Sequence, residues 1–155
     1  MLSQKARYGL KALIHLAQYP AGAGVRIADI AEAETIPRKF LDAILLELKH
    51  AGFVASRIGR AGGYRLAMAP HDIAIGQVIR TLDGPLAPLP CASRTAYRPC
   101  PDCKDVENCL VRQAMLEARD AMANVLDPLS LHDLCRSGSA AGAGAAAGDS
   151  PIYRA

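Results

Sequence analysis

Residues 27–67 decide the fold; they read IADIAEAETIPRKFLDAILLELKHAGFVASRIGRAGGYRLA. Apolar residues recur at helical spacing in two segments of this stretch, separated by Glu34-Thr35-Ile36. Pro37 is typical of a first helical turn, and Gly52 is typical of a helix end. Two helices joined by so tight a turn predict a helix-turn-helix. The two apolar stripes are Ile27, Ile30 and Ala31, and then Phe40, Leu41, Ile44, Leu45 and Leu48.

A β-hairpin is predicted directly after the helix-turn-helix. Residues 53–56 and 64–67 have strand character, and the segment between them, 57–63, contains three glycines that permit a sharp reversal. A hairpin in this position would be the wing of a winged helix-turn-helix.

Further helices are predicted on both sides of this unit. One runs from Ser3 to about Ala17, and another contains Ile75 to Leu82 before Asp83-Gly84-Pro85 ends it. After a long loop, residues 110–126 form a helix with an apolar seam at alternating steps of four and three. Such a seam suits a helix of a second subunit, although packing against its own domain is the alternative. The seam consists of Val111, Met115, Ala118, Met122 and Val125.

The fold class is therefore mainly α with a small β-hairpin wing, a winged helix-turn-helix followed by a long dimerisation helix. We predict the DNA-binding region at 1–84 and a cysteine-rich sensor loop at 85–109. Residues 110–135 hold the dimerisation helix and a short terminal helix, which Ser130 and Asp133 cap, and 136–155 form a disordered Gly- and Ala-rich tail.

Charge is distributed unevenly along the 155 residues. Residues 1–65 carry ten Lys and Arg against five Asp and Glu, whereas the remainder carries eight against ten. The basic half is where a polyanion such as DNA would dock. There is no apolar run long enough to span a membrane and no signal-peptide pattern, so we expect a cytoplasmic protein without a membrane partner.

Four cysteines lie close together in the predicted loop, and they are the candidate metal ligands. In a cytoplasmic chain thiols stay reduced, which favours metal binding over structural disulfides. Four soft thiolates suit an iron–sulfur cluster, 2Fe–2S or 4Fe–4S, or alternatively zinc. A metal-free thiol–disulfide switch is a third interpretation. Cys135 is excluded as a small hydrophobe. The candidate ligands are Cys91, Cys100, Cys103 and Cys109.

Double-stranded DNA is the expected partner of the helix-turn-helix. Its second helix should enter the major groove and read bases from its N-terminal end, while basic residues nearby contact phosphates. Arg38 or Lys39 would donate to guanine and Asp42 would accept from cytosine. No catalytic constellation is present, so we do not expect an enzyme. The candidate DNA-binding residues are Lys5, Arg7, Tyr8, Pro37, Arg38, Lys39, Asp42, Arg57 and Arg60.

Taken together, several segments resemble one group of regulators. These are LSQKARYGL at residues 2–10, IADIA at 27–31, Ile36-Pro37, the stretch 45–52 and Gly62-Gly63-Tyr64, followed by the cysteine loop. They are similar to the winged-helix regulators typified by IscR, NsrR and RirA, the Rrf-two type.

The resemblance covers about residues 1–135 and implies a homodimer on a palindromic operator. It also implies three cluster ligands, which correspond to Cys91, Cys103 and Cys109. The family's fourth ligand differs between members: the histidine of IscR-like proteins is replaced here by Arg112, and the acidic residue of NsrR-like proteins by Arg7. Cys100 is additional, and we expect it to complete an all-cysteine site.

Overall fold

The structure is a computed structural model, and it describes residues 2–59 and 62–142. Its described part contains six α-helices, two β-strands and two short 3₁₀ helices at Pro70–Asp72 and Pro90–Ala92. The expected mainly helical winged helix-turn-helix is confirmed. The elements are α1 (Gln4–Ala17), α2 (Ile27–Ala33), α3 (Arg38–His50), β1 (Val54–Arg57), β2 (Gly63–Leu66), α4 (Ile75–Asp83), α5 (Leu110–Leu126) and α6 (Leu131–Gly142).

One hydrophobic core holds α1, α3 and α4 together. The helices bury most of their apolar stripes, whereas their polar faces stay in water, as expected of amphipathic helices. Gly9 allows a close approach here, since a Cβ at this position would lie 2.3 Å from Leu82 Cδ1. The largest fully buried side chains are Leu13, Ile30, Leu41, Ile44, Leu45, Leu48, Val54, Ile73, Val78 and Leu131.

The wing is an antiparallel hairpin in which Val54 pairs with Leu66 and Arg57 with Gly63. A third segment joins it, because Val25 and Tyr64 exchange two backbone hydrogen bonds of 2.8 Å. This bridge attaches the hairpin to the chain just before α2. The wing is therefore fixed to the helix-turn-helix at its base.

Helix α5 leaves this unit, and the chain then returns to it. Leu131 N donates to Ile73 O at 2.8 Å and Ile75 N donates to Leu129 O at 2.9 Å. Leu131 is completely buried in the main core. The terminal helix thus belongs structurally to the first unit, where it packs on α1.

The predicted cap of the terminal helix is confirmed. Ser130 Oγ accepts from Asp133 N at 3.1 Å, while the Asp133 carboxylate accepts from Ser130 N at 3.2 Å. The predicted tail, however, begins too early at residue 136, because α6 continues to Gly142. The alanines in this segment have the highest helix propensity of any residue, and they extend the capped helix. Residues 143–155 of the predicted tail lie outside the described residues.

Candidate nucleic-acid interface and cysteine loop

Helix α3 presents its N-terminal end to solvent. Pro37 is the residue before its first turn, and Arg38, Lys39 and Asp42 are all exposed. Within the described chain, no ion pair joins these three side chains to another residue. The structure therefore brings the four predicted α3 residues together on one solvent-facing surface.

The turn between α2 and α3 is held in place from α1. Lys11 Nζ donates to Glu34 O at 2.6 Å, and His15 Nδ1 lies 3.2 Å from Glu34 Oε1. Thr35 adopts a left-handed conformation with φ of 54°, which allows Ile36 N to donate back to Ala31 O at 2.9 Å. These contacts set the angle at which α3 leaves α2.

The three predicted residues of α1 have different environments. Arg7 is exposed and its guanidinium carbon lies 5.8 Å from the centroid of the Tyr8 ring, whereas Tyr8 is half-buried against the core. Lys5 Nζ pairs with Glu47 of α3 at 3.0 Å. A phosphate would have to compete with Glu47 for Lys5, while Arg7 is open to one.

The wing carries a cation and an apolar side chain side by side. Arg57 ends β1 and is exposed, and Ile58 next to it is 100% exposed. Arg60, the second basic residue predicted for the wing, lies outside the described residues. Of the two cations predicted for the wing, Arg57 is the one that the structure describes, and it is exposed.

Two exposed apolar side chains were missed as candidate interface residues. Phe40 was expected in the buried stripe of α3, but the structure leaves it 64% exposed. Leu41, Ile44, Leu45 and Leu48 complete the buried arc without it. Phe40 lies at the edge of that arc, a position that helical spacing alone does not separate from the core. Ile58 carried no sequence signal beyond its place between two wing residues.

The four loop cysteines line a single open cavity of about 490 Å³ at the N-terminal end of α5. Cys91 is buried in the 3₁₀ helix Pro90–Ala92, and the other three are half-exposed. All four are free thiols. The structure therefore brings together the complete set of predicted ligands.

Within the cavity the thiols influence one another's ionisation. The Cys91 thiol, as a hydrogen-bonding neighbour, raises the pKa of Cys100 above its ordinary value, and the charge of Cys103 raises it further. Loss of hydration raises the pKa of Cys103, and the charges of Cys109 and Cys91 raise it further. Influence of this kind acts between close neighbours, so the four thiols belong to one group at the cavity.

Local hydrogen bonds shape the loop between Cys103 and Cys109. The Asp105 carboxylate accepts from the backbone N–H groups of Glu107 and Asn108, both at 3.1 Å, and from Asn108 Nδ2 at 2.7 Å. These bonds lower the pKa of Asp105. They form an Asx turn, which folds the chain back between Cys103 and Cys109.

The donor set fits an iron–sulfur cluster or zinc in its chemistry. In the described chain no three His, Cys, Asp or Glu side chains stand at metal-ligating geometry, so the thiols would have to move closer together to hold a metal. Arg112 is not a ligand, since its Nε donates to Cys91 O at 3.0 Å. No histidine lines the cavity. Besides the four thiols, the cavity is lined by two carboxylates, Asp102 and Asp105.

The cysteine and histidines outside the loop have ordinary structural positions. Cys135 packs against the main core, and burial raises the pKa of its thiol. His15 is buried between α1 and the Glu34 turn. Neither residue lines the cysteine cavity.

Comparison with known proteins decides the family. The Rrf2 family model, described as an iron-dependent transcriptional regulator, matches residues 2–137. The chain belongs to the Rrf2 family. It is a DNA-binding transcriptional regulator and not an enzyme.

Three relatives illustrate the range of the Rrf2 family. An rrf2-like HTH-type regulator of Rhodobacter capsulatus is 43% identical over 144 residues, which is 91% of this chain and 96% of the relative. The structure of CymR, the global cysteine regulator of Bacillus subtilis, has a TM-score of 0.72 at 31% identity and covers 88% of this chain and 97% of its own. The structure of T. potens IscR has a TM-score of 0.73 at 25% identity, covering 99% and 96%.

The similarity extends over almost the whole length of these relatives, including the region after the wing. In the described part of the Rrf2 chain, no helix is both long and apolar enough to cross a membrane.

Proposed function

We propose that this Rrf2 protein controls transcription in response to iron–sulfur or redox status, which it senses through Cys91, Cys100, Cys103 and Cys109. The observation that carries the proposal is that all four thiols line one cavity at the start of α5. Four soft donors in one loop are typical of clusters and zinc.

Two contacts link the thiols to α5. Cys109 is the residue immediately before the helix, and its carbonyl accepts from Gln113 N at 3.1 Å. The carbonyl of Cys91 accepts from Arg112 in the first turn. A change in the spacing between Cys91 and Cys109 therefore acts on the start of α5 from both sides.

We also propose that α5 joins two copies of the chain. Its seam residues Val111, Met122 and Val125 are 61%, 37% and 65% exposed, although apolar side chains of this size usually find cover. Helix α5 packs on its own unit through Leu126 instead. A homodimer across the seam would place two α3 helices on one palindromic operator.

In such a dimer, base reading is assigned to Arg38, Lys39 and Asp42, with Pro37 fixing the start of the helix. Phe40 adds an apolar contact suited to a thymine methyl group. Arg7, Arg57 and Arg60 are assigned to phosphates, and Lys5 and Tyr8 support α1 next to them. Replacing Arg7 or Arg57 by Gln should lower the slope of log affinity against log salt concentration by about 0.9 in each case, because each replacement removes one phosphate contact.

An iron–sulfur cluster in this loop would supply redox chemistry and would be lost when iron is scarce, whereas zinc would supply only a structural link. The protein's part is to hold the metal through four thiolates and to transmit the loop's shape to α5. Because thiolates bind metal and thiols do not, the loop loses its protons when metal binds.

A second candidate function is a metal-free thiol–disulfide switch. The observation that favours it is that four free thiols line one cavity. Oxidation of two of these thiols joins their sulfurs and releases two protons and two electrons to an oxidant such as a peroxide or another disulfide.

The test is anaerobic purification of the full chain, followed by visible absorption and by iron, sulfide and zinc analysis. Alanine replacement of each loop cysteine should remove colour, iron and sulfide, while Cys135→Ala, the matched control, should retain them. A colourless protein with zinc in every chain would contradict the cluster proposal and support the structural alternative. A metal-free protein whose operator binding changes on mild oxidation would support the thiol switch.

A further inference from the structure

A second cavity, separate from the one that the four thiols line, lies between α4 and α5 and has a volume of about 470 Å³. Three arginines and two aspartates line it, together with hydroxyl and amide groups. We call it the arginine pocket and define it by Arg80, Arg94, Arg119, Asp120 and Asp127. Its size is typical of small-molecule sites.

Arg119 forms the floor of the arginine pocket. Its side chain is only 9% exposed, and its Nη2 lies 2.7 Å from Asp120 Oδ1. Its Nε is buried and has no hydrogen-bond partner among the described residues. A buried guanidinium with an unmatched donor is costly, because the lost hydration is not replaced.

The other two arginines differ in how far they are neutralised. Arg80 makes a two-pronged ion pair with Asp127, at 2.6 and 3.0 Å. Arg94 lies at the rim, 71% exposed, and shares the single carboxylate of Asp120 with Arg119 at 3.2 Å. The pocket thus carries one positive charge more than its two carboxylates neutralise.

The remaining walls contain short apolar side chains and neutral hydrogen-bonding groups. Pro85, Leu86 and Ala123 provide the apolar surface, while Thr95 and Asn124 are polar. An occupant therefore needs one negative charge and a small apolar body. A phosphate ester carries close to two charges at neutral pH, so a carboxylate matches the pocket better.

The pocket would stay open in the proposed dimer. Its α5 residues Arg119 and Ala123 are four positions apart, on a different side of the helix from the seam residues Val111 and Met122, and Asp127 directly follows the helix. A partner helix on the seam would leave this side free.

We propose that the arginine pocket binds a small organic monocarboxylate, whose carboxylate lies between Arg94 and Arg119. Guanidinium groups recognise carboxylates through directed, charge-assisted hydrogen bonds. The pocket walls come from α4, from residues 85–87 and 93–95, and from α5. Such a ligand would therefore tie the DNA-binding unit to the dimerisation helix, as an input distinct from the four thiols.

The test is isothermal titration calorimetry of the full chain with butyrate, with its uncharged isostere butyramide, and with inorganic phosphate at matched ionic strength. Butyrate should bind saturably at one site per chain. Arg94→Gln should weaken it by about ten-fold or more, because it removes a charge-assisted contact. Arg98→Gln, an exposed arginine of the same loop that does not line the pocket, should leave it unchanged.

Arg119→Lys keeps the charge but removes the planar guanidinium, and it should weaken butyrate binding while far-ultraviolet circular dichroism shows the fold retained. If that variant fails to fold, Arg94→Gln still decides the matter, since its side chain lies at the surface. Absence of butyrate binding, equal binding of butyramide, tighter binding of phosphate, or an equal loss in Arg98→Gln would each overturn the proposal. None of these results depends on metal in the cysteine loop.

Discussion

Gly63→Ala should destabilise the wing far more than its sequence neighbourhood suggests. Gly63 has φ of 146°, and a Cβ built on it would lie 2.4 Å from Val25 O and 2.6 Å from Val25 C. Both are backbone atoms, so no side-chain rotation relieves the clash. Residue 25 must move, and the Val25–Tyr64 bridge must open.

Two terms make up the expected cost. A side chain in this conformation costs about 1–3 kcal/mol. Loss of the two bridge hydrogen bonds between Val25 and Tyr64, at about 0.5–1.5 kcal/mol each, adds about 1–3 kcal/mol. Gly59→Ala is the matched control, because Gly59 has φ of 122° and nothing lies within 4 Å of its added Cβ. That variant should show the first term alone.

The assay is urea unfolding followed by circular dichroism. With an m-value of about 1–3 kcal/mol/M, Gly63→Ala should unfold at a midpoint about 1 M lower than Gly59→Ala. Operator affinity should fall more in Gly63→Ala as well, since the bridge fixes the wing to α2. Equal midpoints for the two variants would refute the reasoning that the bridge depends on the missing Cβ.

Three further predictions concern the helix junctions. Thr35→Asn should raise the free energy of unfolding by about 0.5–1 kcal/mol, because asparagine tolerates the φ of 54° better than a β-branched residue; an unchanged or lower value in urea unfolding would contradict this. Gly76→Ala should lower the free energy of unfolding by about 1–3 kcal/mol through overpacking, since its Cβ would lie 2.1 Å from Asp127 Oδ1. Adding Asp127→Ala to this variant should restore part of the lost stability. A double variant no more stable than Gly76→Ala would argue against this contact. Asp127→Asn should cost about 0.5 kcal/mol at neutral pH: Arg80 lowers the pKa of Asp127 in the folded chain, so this contribution is present above the unfolded-state pKa and disappears as acid protonates the folded carboxylate. A difference from wild type that persists in acid would contradict that assignment.

The helices and the wing were predictable because each has a strong local signal. Leu41, Ile44, Leu45 and Leu48 follow helical spacing, and the glycines in the segment 57–63 permit the sharp reversal of a hairpin. Phe40 was misjudged because it borders the buried arc, and only the packed structure shows which edge is covered. Helix α6 continues to Gly142 because its N-terminus is capped and alanine has a high helix propensity. The glycines in the same segment favoured the prediction of a disordered tail instead.

The four candidate ligands could be selected from the sequence, whereas their position at one cavity could not. Their spacing indicated metal, but the shape of the cavity depends on the 3₁₀ helix at Cys91 and on the Asp105 turn. The ion pair between Lys5 and Glu47 joins residues 42 positions apart, and no local pattern indicates it. The arginine pocket likewise unites residues from α4, the loop and α5, each of which reads as an ordinary surface charge in the sequence.

The proposed control of DNA binding by the cysteine loop can be measured directly. Operator fragments selected from random DNA by the full chain would be titrated anaerobically with wild-type protein before and after metal removal, beside Cys103→Ala and the control Cys135→Ala. We expect metal removal to change operator affinity by about ten-fold in wild type and in Cys135→Ala, and to leave it unchanged in Cys103→Ala. Equal affinity of metal-loaded and metal-free wild-type protein would contradict control of DNA binding by the loop.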